Sequence, residues 1–349
     1  MDAHPYTNLP KRAFWHGSVS GRNCLDIKDV YDPKFEITQS HKIATAGSCF
    51  AQHFSRALRA RGCNFLNTEP APEILSSALC QKYNYGVFSA RYGNIYTPRQ
   101  MRQTLARAVG AFDPADQIWT KGNRFQDPLR PNIEPDGFES QQELHASRLA
   151  HLAAVRRIFQ EADIFVFTLG LTESWVNTID GTVYPLCPGT AGGVFDQGLH
   201  RLENFGFQDN FNDLTAFFDM AQEINPKIRF LLTVSPVPLS ATASGSHVLA
   251  ATVRSKSVLR AVCAEIVDAF DYVDYFPSYE LISAPPFKGR FFEKNMRTVS
   301  DEGVDFVMNA FFDAHGILPI VPQKAEHKTD TKIYSELQCE EEILASFSK

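Results

Sequence analysis

The sequence predicts an α/β fold, a three-layer α/β/α sandwich around a mostly parallel sheet of about five strands. Short apolar runs alternate along the chain with segments of helical period, which is the pattern of repeated βαβ units. Residues 163–170 and 228–234 are apolar without alternation, as is typical of strands covered on both faces. A length of 349 residues suffices for one large α/β domain or two smaller ones.

The predicted elements follow one another as this fold requires. The first strand, residues 43–46, ends at Gly47-Ser48, and an amphipathic helix follows until Gly62 stops it. The apolar stripe of 141–162 predicts a helix that leads into the strand at 163–170. We then predict a helix at 214–224, a strand at 228–234, a helix at 247–270, a strand at 272–275 and a helix at 301–312.

Long segments rich in aromatic residues, glycine and proline separate these elements. They cover residues 83–98, 122–137 and 177–206. Because long ordered loops tend to carry function, we expect them to cap the carboxyl edge of the sheet. We assign residues 41–315 to the α/β domain, 1–40 to an N-terminal extension and 316–349 to a charged C-terminal extension.

Composition excludes several classes of protein. The formal net charge is -6, and no basic stripe is visible, so a nucleic-acid partner is not expected. No apolar run approaches the ~20 residues that span a bilayer, and the N-terminus lacks a signal-peptide pattern, so we expect a cytoplasmic protein. Seven scattered cysteines without a C-x-x-C pair argue against a disulfide framework or zinc ribbon. The sequence does not indicate an oligomeric state.

The strongest chemical motif is HKIATAGSCFAQHF, residues 41–54. It places Ser48 where a strand ends and a helix begins, and ligands of parallel α/β sheets bind at that edge. A serine there lies beside helix N-terminal amides, which can stabilise a developing oxyanion. The alternative is that Ser48 is an ordinary helix N-cap.

These residues resemble a known family. GSCFA at 47–51 is the signature of the GSCFA family, which is similar to the SGNH (GDSL-like) esterases and acetyl-transferring enzymes. Further blocks resemble that family in the right order, namely DIFVFTLGLTESW (163–175), LTVSPVP (232–238), SKSVLR (255–260) and YFPSYE (275–280). The resemblance implies an SGNH-like fold and a serine acyl-ester enzyme, either an esterase or deacetylase or an O-acetyltransferase. It also implies a carbohydrate or polysaccharide precursor as substrate, an expectation that the aromatic-rich loops favour.

The resemblance implies roles for several residues. Ser48 matches the nucleophile, and its amide would contribute to the oxyanion hole. The block-two glycine of that hole has two candidates, Gly86 and Gly93. Thr172 takes the place of the asparagine that completes the hole in SGNH-like enzymes.

We assign substrate contacts to three more residues. Asn94 follows Gly93, and Glu173 follows Thr172 in the block after the predicted strand. Trp175 could wall the pocket or stack on a sugar ring, or it could be a core aromatic residue. No metal-ligand spacing such as H-x-x-x-H is present, and we expect no cofactor.

The sequence departs from the family at the residues that supply the catalytic base. Clear members have Asp-x-x-His before the final helix, and Asn295 and Thr298 stand there instead. His247 begins a helix after the strand at 228–234, so it is the best replacement, and Glu280 could orient it. The alternatives are that His247 belongs to a helix N-cap region and that Glu280 forms a surface ion pair. A second hypothesis for the whole chain is a non-catalytic carbohydrate- or ligand-binding protein that has lost the Asp-x-x-His pair.

Overall fold

The computed structural model describes residues 4–319 and 342–347. The strands are β1 (Ile43–Gly47), β2 (Trp119–Lys121), β3 (Arg124–Gln126), β4 (Ile164–Leu169), β5 (Glu173–Asn177), β6 (Val183–Tyr184), β7 (His200–Asn204), β8 (Arg229–Val234) and β9 (Val273–Tyr275). The helices are α1 (Ala51–Ala60), α2 (Ser77–Lys82), α3 (Pro98–Ala108), α4 (Gln141–Glu161), α5 (Phe207–Ile224), α6 (Val248–Ala269), α7 (Ser278–Ser283), α8 (Asp301–Ala314) and α9 (Glu342–Ala345).

The central sheet is parallel and has the strand order β1-β4-β8-β9. It has four strands where about five were expected. On the free edge of β1, Phe65 forms a single parallel β-bridge with Ile43 in place of a fifth strand. The Ile43 amide donates to the Asn64 carbonyl and the Leu66 amide donates to the Ile43 carbonyl, both at 2.9 Å. Beyond Leu66 the chain turns away, and the Thr68 amide pairs with the Ser89 carbonyl at 2.9 Å instead.

Side chains of the central strands alternate between two apolar cores. Phe165, Phe167 and Phe230 pack on one face, where α4, α5 and α6 supply the opposing residues. Val166 and Leu231 pack on the other face against residues of α1, α7 and α8. Two helical layers therefore cover one sheet, and the predicted three-layer α/β/α fold is confirmed.

The predicted loops contain more structure than the sequence analysis expected. A β2–β3 hairpin reaches into 122–137, and an antiparallel sheet of order β6-β5-β7 occupies much of 177–206. Helix α5 begins at Phe207, earlier than predicted, because the Asp209 side chain accepts the Gly206 amide at 2.9 Å. Strands β5, β6 and β7 thus form a small separate sheet that begins just after the carboxyl end of β4.

The segment before β1 packs on the domain. Tyr31 donates its hydroxyl to Asp274 at 2.8 Å, and the Lys34 amide donates to the same carboxylate at 2.8 Å. Ile37 is fully buried in the core under α8. In the described parts of the chain, none of the helices combines the length and apolar character needed to cross a bilayer.

Three buried histidines have lowered pKa values. Burial lowers the pKa of His53 to about 3 and that of His315 to about 4. Burial also lowers the pKa of His151 to about 4, and the charge of Arg130 adds to this, although Nδ1 of His151 lies 2.8 Å from Glu69. Each ring is therefore neutral in the folded protein at neutral pH.

We expect the free energy of unfolding to fall as pH decreases from about 6.5 to 4. Between a folded-state pKa of about 4 and the ordinary 6.5, the unfolded chain binds more protons, so acid favours unfolding. For His151 the effect amounts to roughly 3 kcal/mol. Urea unfolding at pH 4 and pH 7 measures it. His151→Gln should reduce the dependence by the share of His151 and leave that of His53 and His315. His145→Gln, at an exposed position on the same helix, should leave it unchanged. An unchanged pH dependence in His151→Gln would contradict this account.

Candidate functional site

Ser48 lies at the turn between β1 and α1, as predicted. Its amide donates to the Thr168 carbonyl of β4 at 3.1 Å, and its carbonyl accepts the Ala51 amide at 2.9 Å. The N-cap residue of α1 is Phe50, and no side chain caps that helix, so the alternative of Ser48 as an N-cap is wrong. Because the Ser48 amide is used in pairing with β4, its expected oxyanion role is also wrong for this arrangement.

Two glycines allow the chain to approach Ser48 closely. Gly47 has φ +142°, and a Cβ there would lie 2.4 Å from the Thr168 carbonyl oxygen, so only glycine fits. Gly170, just after β4, leaves room for Ser48, because a Cβ there would lie 3.0 Å from Ser48 Cβ and 3.1 Å from Tyr96 Cδ1. Ser48, Gly170 and Tyr96 therefore form one packed contact at the carboxyl edge.

The Ser48 hydroxyl is enclosed and unsatisfied. Ser48 is 3% exposed, and its Oγ has no hydrogen-bond partner among the described residues. The same is true of the Thr168 hydroxyl on the neighbouring strand. The strand-to-helix motif predicts a Ser48 hydroxyl that opens to a pocket, and that prediction is wrong, because the side chain is buried and packs against Gly170. A buried hydroxyl without a partner is costly and requires an explanation.

Of the two candidate glycines, Gly93 is the one near Ser48. Two residues after it, the Ile95 amide donates to the Gly47 carbonyl at 2.9 Å. Gly86 instead contacts the far end of α1, where Arg59 donates to its carbonyl oxygen. Asn94 is buried in the segment beside Gly47, and its backbone carbonyl accepts from Gln100 at 3.0 Å. The oxyanion role of Gly93 and the substrate-binding role of Asn94 stay predictions, whereas Gly86 is out of position.

Thr172 cannot serve the oxyanion in this arrangement. It lies just beyond the end of β4, as predicted, and is fully buried. Its hydroxyl donates to Asn204 Oδ1 at 2.8 Å, and its amide donates to Ser255 Oγ at 2.9 Å. Because both donors have partners, the predicted oxyanion role of Thr172 is wrong.

Tyr96 also lines a cavity of about 300 Å³. Glu173 and Trp175 line it, so Trp175 is a wall residue and not a core aromatic residue. The Glu173 carboxylate accepts from the Thr242 hydroxyl at 2.9 and 2.8 Å and from Asn204 at 3.3 Å. These contacts fix Glu173 at the cavity, and its role toward a substrate stays a prediction.

The structure does not bring His247 and Glu280 together. His247 is an exposed N-cap of α6, and its Nδ1 accepts the Leu249 amide at 3.2 Å. Glu280 binds Arg260 at 2.5 Å and accepts the Tyr275 hydroxyl at 2.8 Å. The predicted base and its orienting acid are therefore wrong, because the loop after β8 leaves His247 on the surface and Glu280 is held by its own partners.

We expect His247→Ala to leave any ester turnover within about twofold of the wild-type rate. The substitution removes one cap bond, which is worth about 1 kcal/mol or less, and no group near Ser48. Steady-state rates together with the urea midpoint measure both effects. A His247→Ala protein that folds normally but has lost its turnover would restore His247 as the base.

The loop that replaces Asp-x-x-His closes on itself. Asn295 Nδ2 donates to Thr298 Oγ1 at 2.9 Å, and Asn295 Oδ1 accepts the Arg297 and Thr298 amides at 3.0 and 2.9 Å. Neither side chain titrates near neutral pH. This turn therefore offers no acid–base pair.

Lys256 is a site residue that the sequence analysis did not single out. It lies on α6 and is 1% exposed, and its Nζ donates to the Gly170 carbonyl at 2.6 Å. Since Gly170 packs directly on Ser48, the lysine reaches the same edge of the sheet. A signal for it exists in the sequence, because Lys256 lies on the apolar stripe of α6 with Leu259 and Cys263.

Other charged residues are explained by pairing with one another. Asp127 is buried and accepts from Arg130 at 3.2 Å and Arg148 at 3.4 Å, and these arginines hold its pKa well below the usual range despite burial. Arg124 pairs with Glu139 at 2.9 Å. Across residues 4–319 and 342–347, no group of three or more His, Cys, Asp or Glu side chains is arranged to hold a metal ion.

Comparison with known proteins identifies the family. Residues 42–311 match the model of the GSCFA family. Among solved structures, a "putative GDSL-like lipase" from Parabacteroides merdae is 13% identical, with a TM-score of 0.28 over 50% of this chain and 69% of its own. No curated protein is significantly similar. Because the family match covers most of its length, the chain belongs to the GSCFA family.

Proposed function

We propose that the protein is a serine acyl-ester enzyme, an esterase or acyltransferase, with Ser48 as its nucleophile. One observation carries this proposal: the Ser48 hydroxyl is buried at the carboxyl edge of a parallel sheet and makes no hydrogen bond with a described residue. A fold tolerates an unsatisfied buried hydroxyl when its position serves chemistry. Membership of the GSCFA family is consistent with a hydrolase-like scaffold.

Lys256 is our candidate for the proton acceptor. It is the buried basic side chain that contacts the Gly170 peptide, and Gly170 contacts Ser48. Serine–lysine pairs replace serine–histidine pairs in other acyl-transferring enzymes, and lysines removed from water serve as bases. The Lys256 amine would replace the missing histidine of the Asp-x-x-His block.

The reaction that follows has two steps. Ser48 Oγ forms a bond to the acyl carbonyl carbon, and its proton passes to the Lys256 amine. The bond from that carbon to the alcohol oxygen then breaks, and the alcohol leaves with the proton. In the second step a water molecule or an acceptor hydroxyl gives its proton to the Lys256 amine and bonds to the acyl carbon. The bond from that carbon to Ser48 Oγ then breaks, and the proton returns to Ser48 Oγ. Because Ser48 is 3% exposed, access of an ester to its Oγ requires the surrounding side chains to rearrange.

A second candidate is a binding protein without catalysis. The self-contained Asn295–Thr298 turn and the enclosed Ser48 favour it. Turnover of p-nitrophenyl esters by the full chain, at a rate proportional to enzyme concentration and blocked by a fluorophosphonate, supports the enzyme. Saturable ligand binding without turnover or fluorophosphonate labelling would support the binding protein and contradict the enzyme.

A carbohydrate as the alcohol part of the ester stays part of this proposal. The aromatic-rich segments at 83–98 and 177–206 support it. Isothermal titration with acetylated and free oligosaccharides tests this part separately, and equal failure of both to bind would remove it. A cytoplasmic location and a role in polysaccharide biosynthesis likewise remain proposals.

A further inference from the structure

The cavity beside Tyr96 has a lining that suits an apolar ligand. It holds about 300 Å³, which is at the lower end for ligand pockets. Leu171, Trp175, Leu202 and Leu239 form much of its wall. Sugars need several polar partners, whereas an alkyl chain gains from leaving water for such a surface. The lining therefore favours an alkyl chain over a sugar ring.

Two lining residues of this cavity neighbour the Ser48 turn. Tyr96 and Leu171 line the cavity, and the Tyr96 carbonyl accepts the amides of Gly170 and Leu171 at 2.8 and 3.1 Å. The Tyr96 ring also lies against Gly170, which packs on Ser48 Cβ. Tyr96 thus belongs both to the cavity wall and to the contact around Ser48.

The protein's own C-terminal segment lies at the cavity. Leu344 and Phe347, on and just after α9, are among the lining residues. Glu342 lies 3.8 Å from Arg297, which belongs to the loop before α8. Phe347 remains 62% exposed, so its contact with the cavity is partial. A half-exposed apolar contact of this kind is weak enough for a ligand to displace it.

We propose that the cavity binds the apolar acyl chain of the substrate and that Leu344 and Phe347 occlude it, so that the C-terminal segment inhibits the site. This inference rests on the proposed function, because it names the acyl group and the regulation of the same site. A tethered segment competes at a high effective concentration, so its removal raises the apparent affinity for the ligand.

Binding of dansyl-labelled undecanoic acid to the full chain tests the inference without requiring turnover. We expect the double variant Leu344→Ser, Phe347→Ser to bind the probe roughly 3- to 30-fold more tightly than wild type. The matched control is the double variant Ile74→Ser, Leu149→Ser, which removes two exposed apolar side chains elsewhere and should bind as wild type does. Octanoate should displace the probe, and acetate should not.

A second variant locates the probe. Leu202→Glu places a charge in the cavity wall. Added to the Leu344→Ser, Phe347→Ser protein, it should weaken probe binding at least tenfold. Weaker or unchanged binding in the Leu344→Ser, Phe347→Ser protein would overturn the inference, since those side chains would then be walls or bystanders. Absence of probe binding in every variant would also overturn it. Tighter binding without any ester turnover would leave the inference standing and count against the proposed function alone.

Discussion

Ser48→Ala is expected to abolish ester turnover while leaving the fold as stable as before or slightly more stable. Loss of the nucleophile removes the covalent step, which costs on the order of 10³- to 10⁶-fold in serine hydrolases. The hydroxyl makes no hydrogen bond with a described residue, so its removal relieves a desolvation cost instead of breaking a contact. Steady-state rates on a p-nitrophenyl ester and urea unfolding measure the two effects.

The matched control is Ser246→Ala, at an exposed position in the loop before α6. It should keep wild-type rates. Turnover that survives in Ser48→Ala, in a protein whose wild type is active, would remove the serine mechanism.

Lys256→Met is expected to lower the turnover rate by about 10²- to 10⁴-fold, the usual cost of losing a general base. Methionine has nearly the length of lysine and suits the apolar face of α6, so packing should be kept. Arg254→Met, at an exposed position on the same helix, is the matched control.

Two further measurements separate a base from a positioning residue. Lys256→Arg keeps a positive charge and a donor for the Gly170 carbonyl but cannot accept a proton near neutral pH. We expect it to be as inactive as Lys256→Met, and we expect added ethylamine to restore part of the activity of Lys256→Ala. Full activity in Lys256→Arg would assign Lys256 a positioning role, and wild-type turnover in Lys256→Met would exclude it altogether.

Local sequence patterns predicted the layers of the fold because each strand and helix carries its own periodicity. The apolar run at 163–170 became β4, and the stripe at 141–162 became α4. Helix α3 was missed although Thr97 caps it and Pro98 occupies its first turn, which together are a helix-start signal. In the small sheet, β7 pairs with β5 across the long segment 178–199, and no local period reports that pairing.

The candidate site was predictable only in part. The turn at Ser48 follows from adjacent residues, so its position was correct. The loop after β8 determines where the His247 side chain lies, and the hydrogen bond to Asn204 determines where the Thr172 hydroxyl points. The order of elements along the chain determines neither. The buried position of Lys256 was visible as a charge within an apolar stripe, and the Gly170 carbonyl that it binds could be identified only in three dimensions.

Mass spectrometry of the fluorophosphonate-treated full chain tests the central claim most directly. We predict one phosphonyl adduct, located on the peptide that contains Ser48, absent from Ser48→Ala and strongly reduced in Lys256→Met. An adduct on another residue that persists in Ser48→Ala, or no adduct on a protein that turns over esters, would contradict the assignment of Ser48 as the nucleophile.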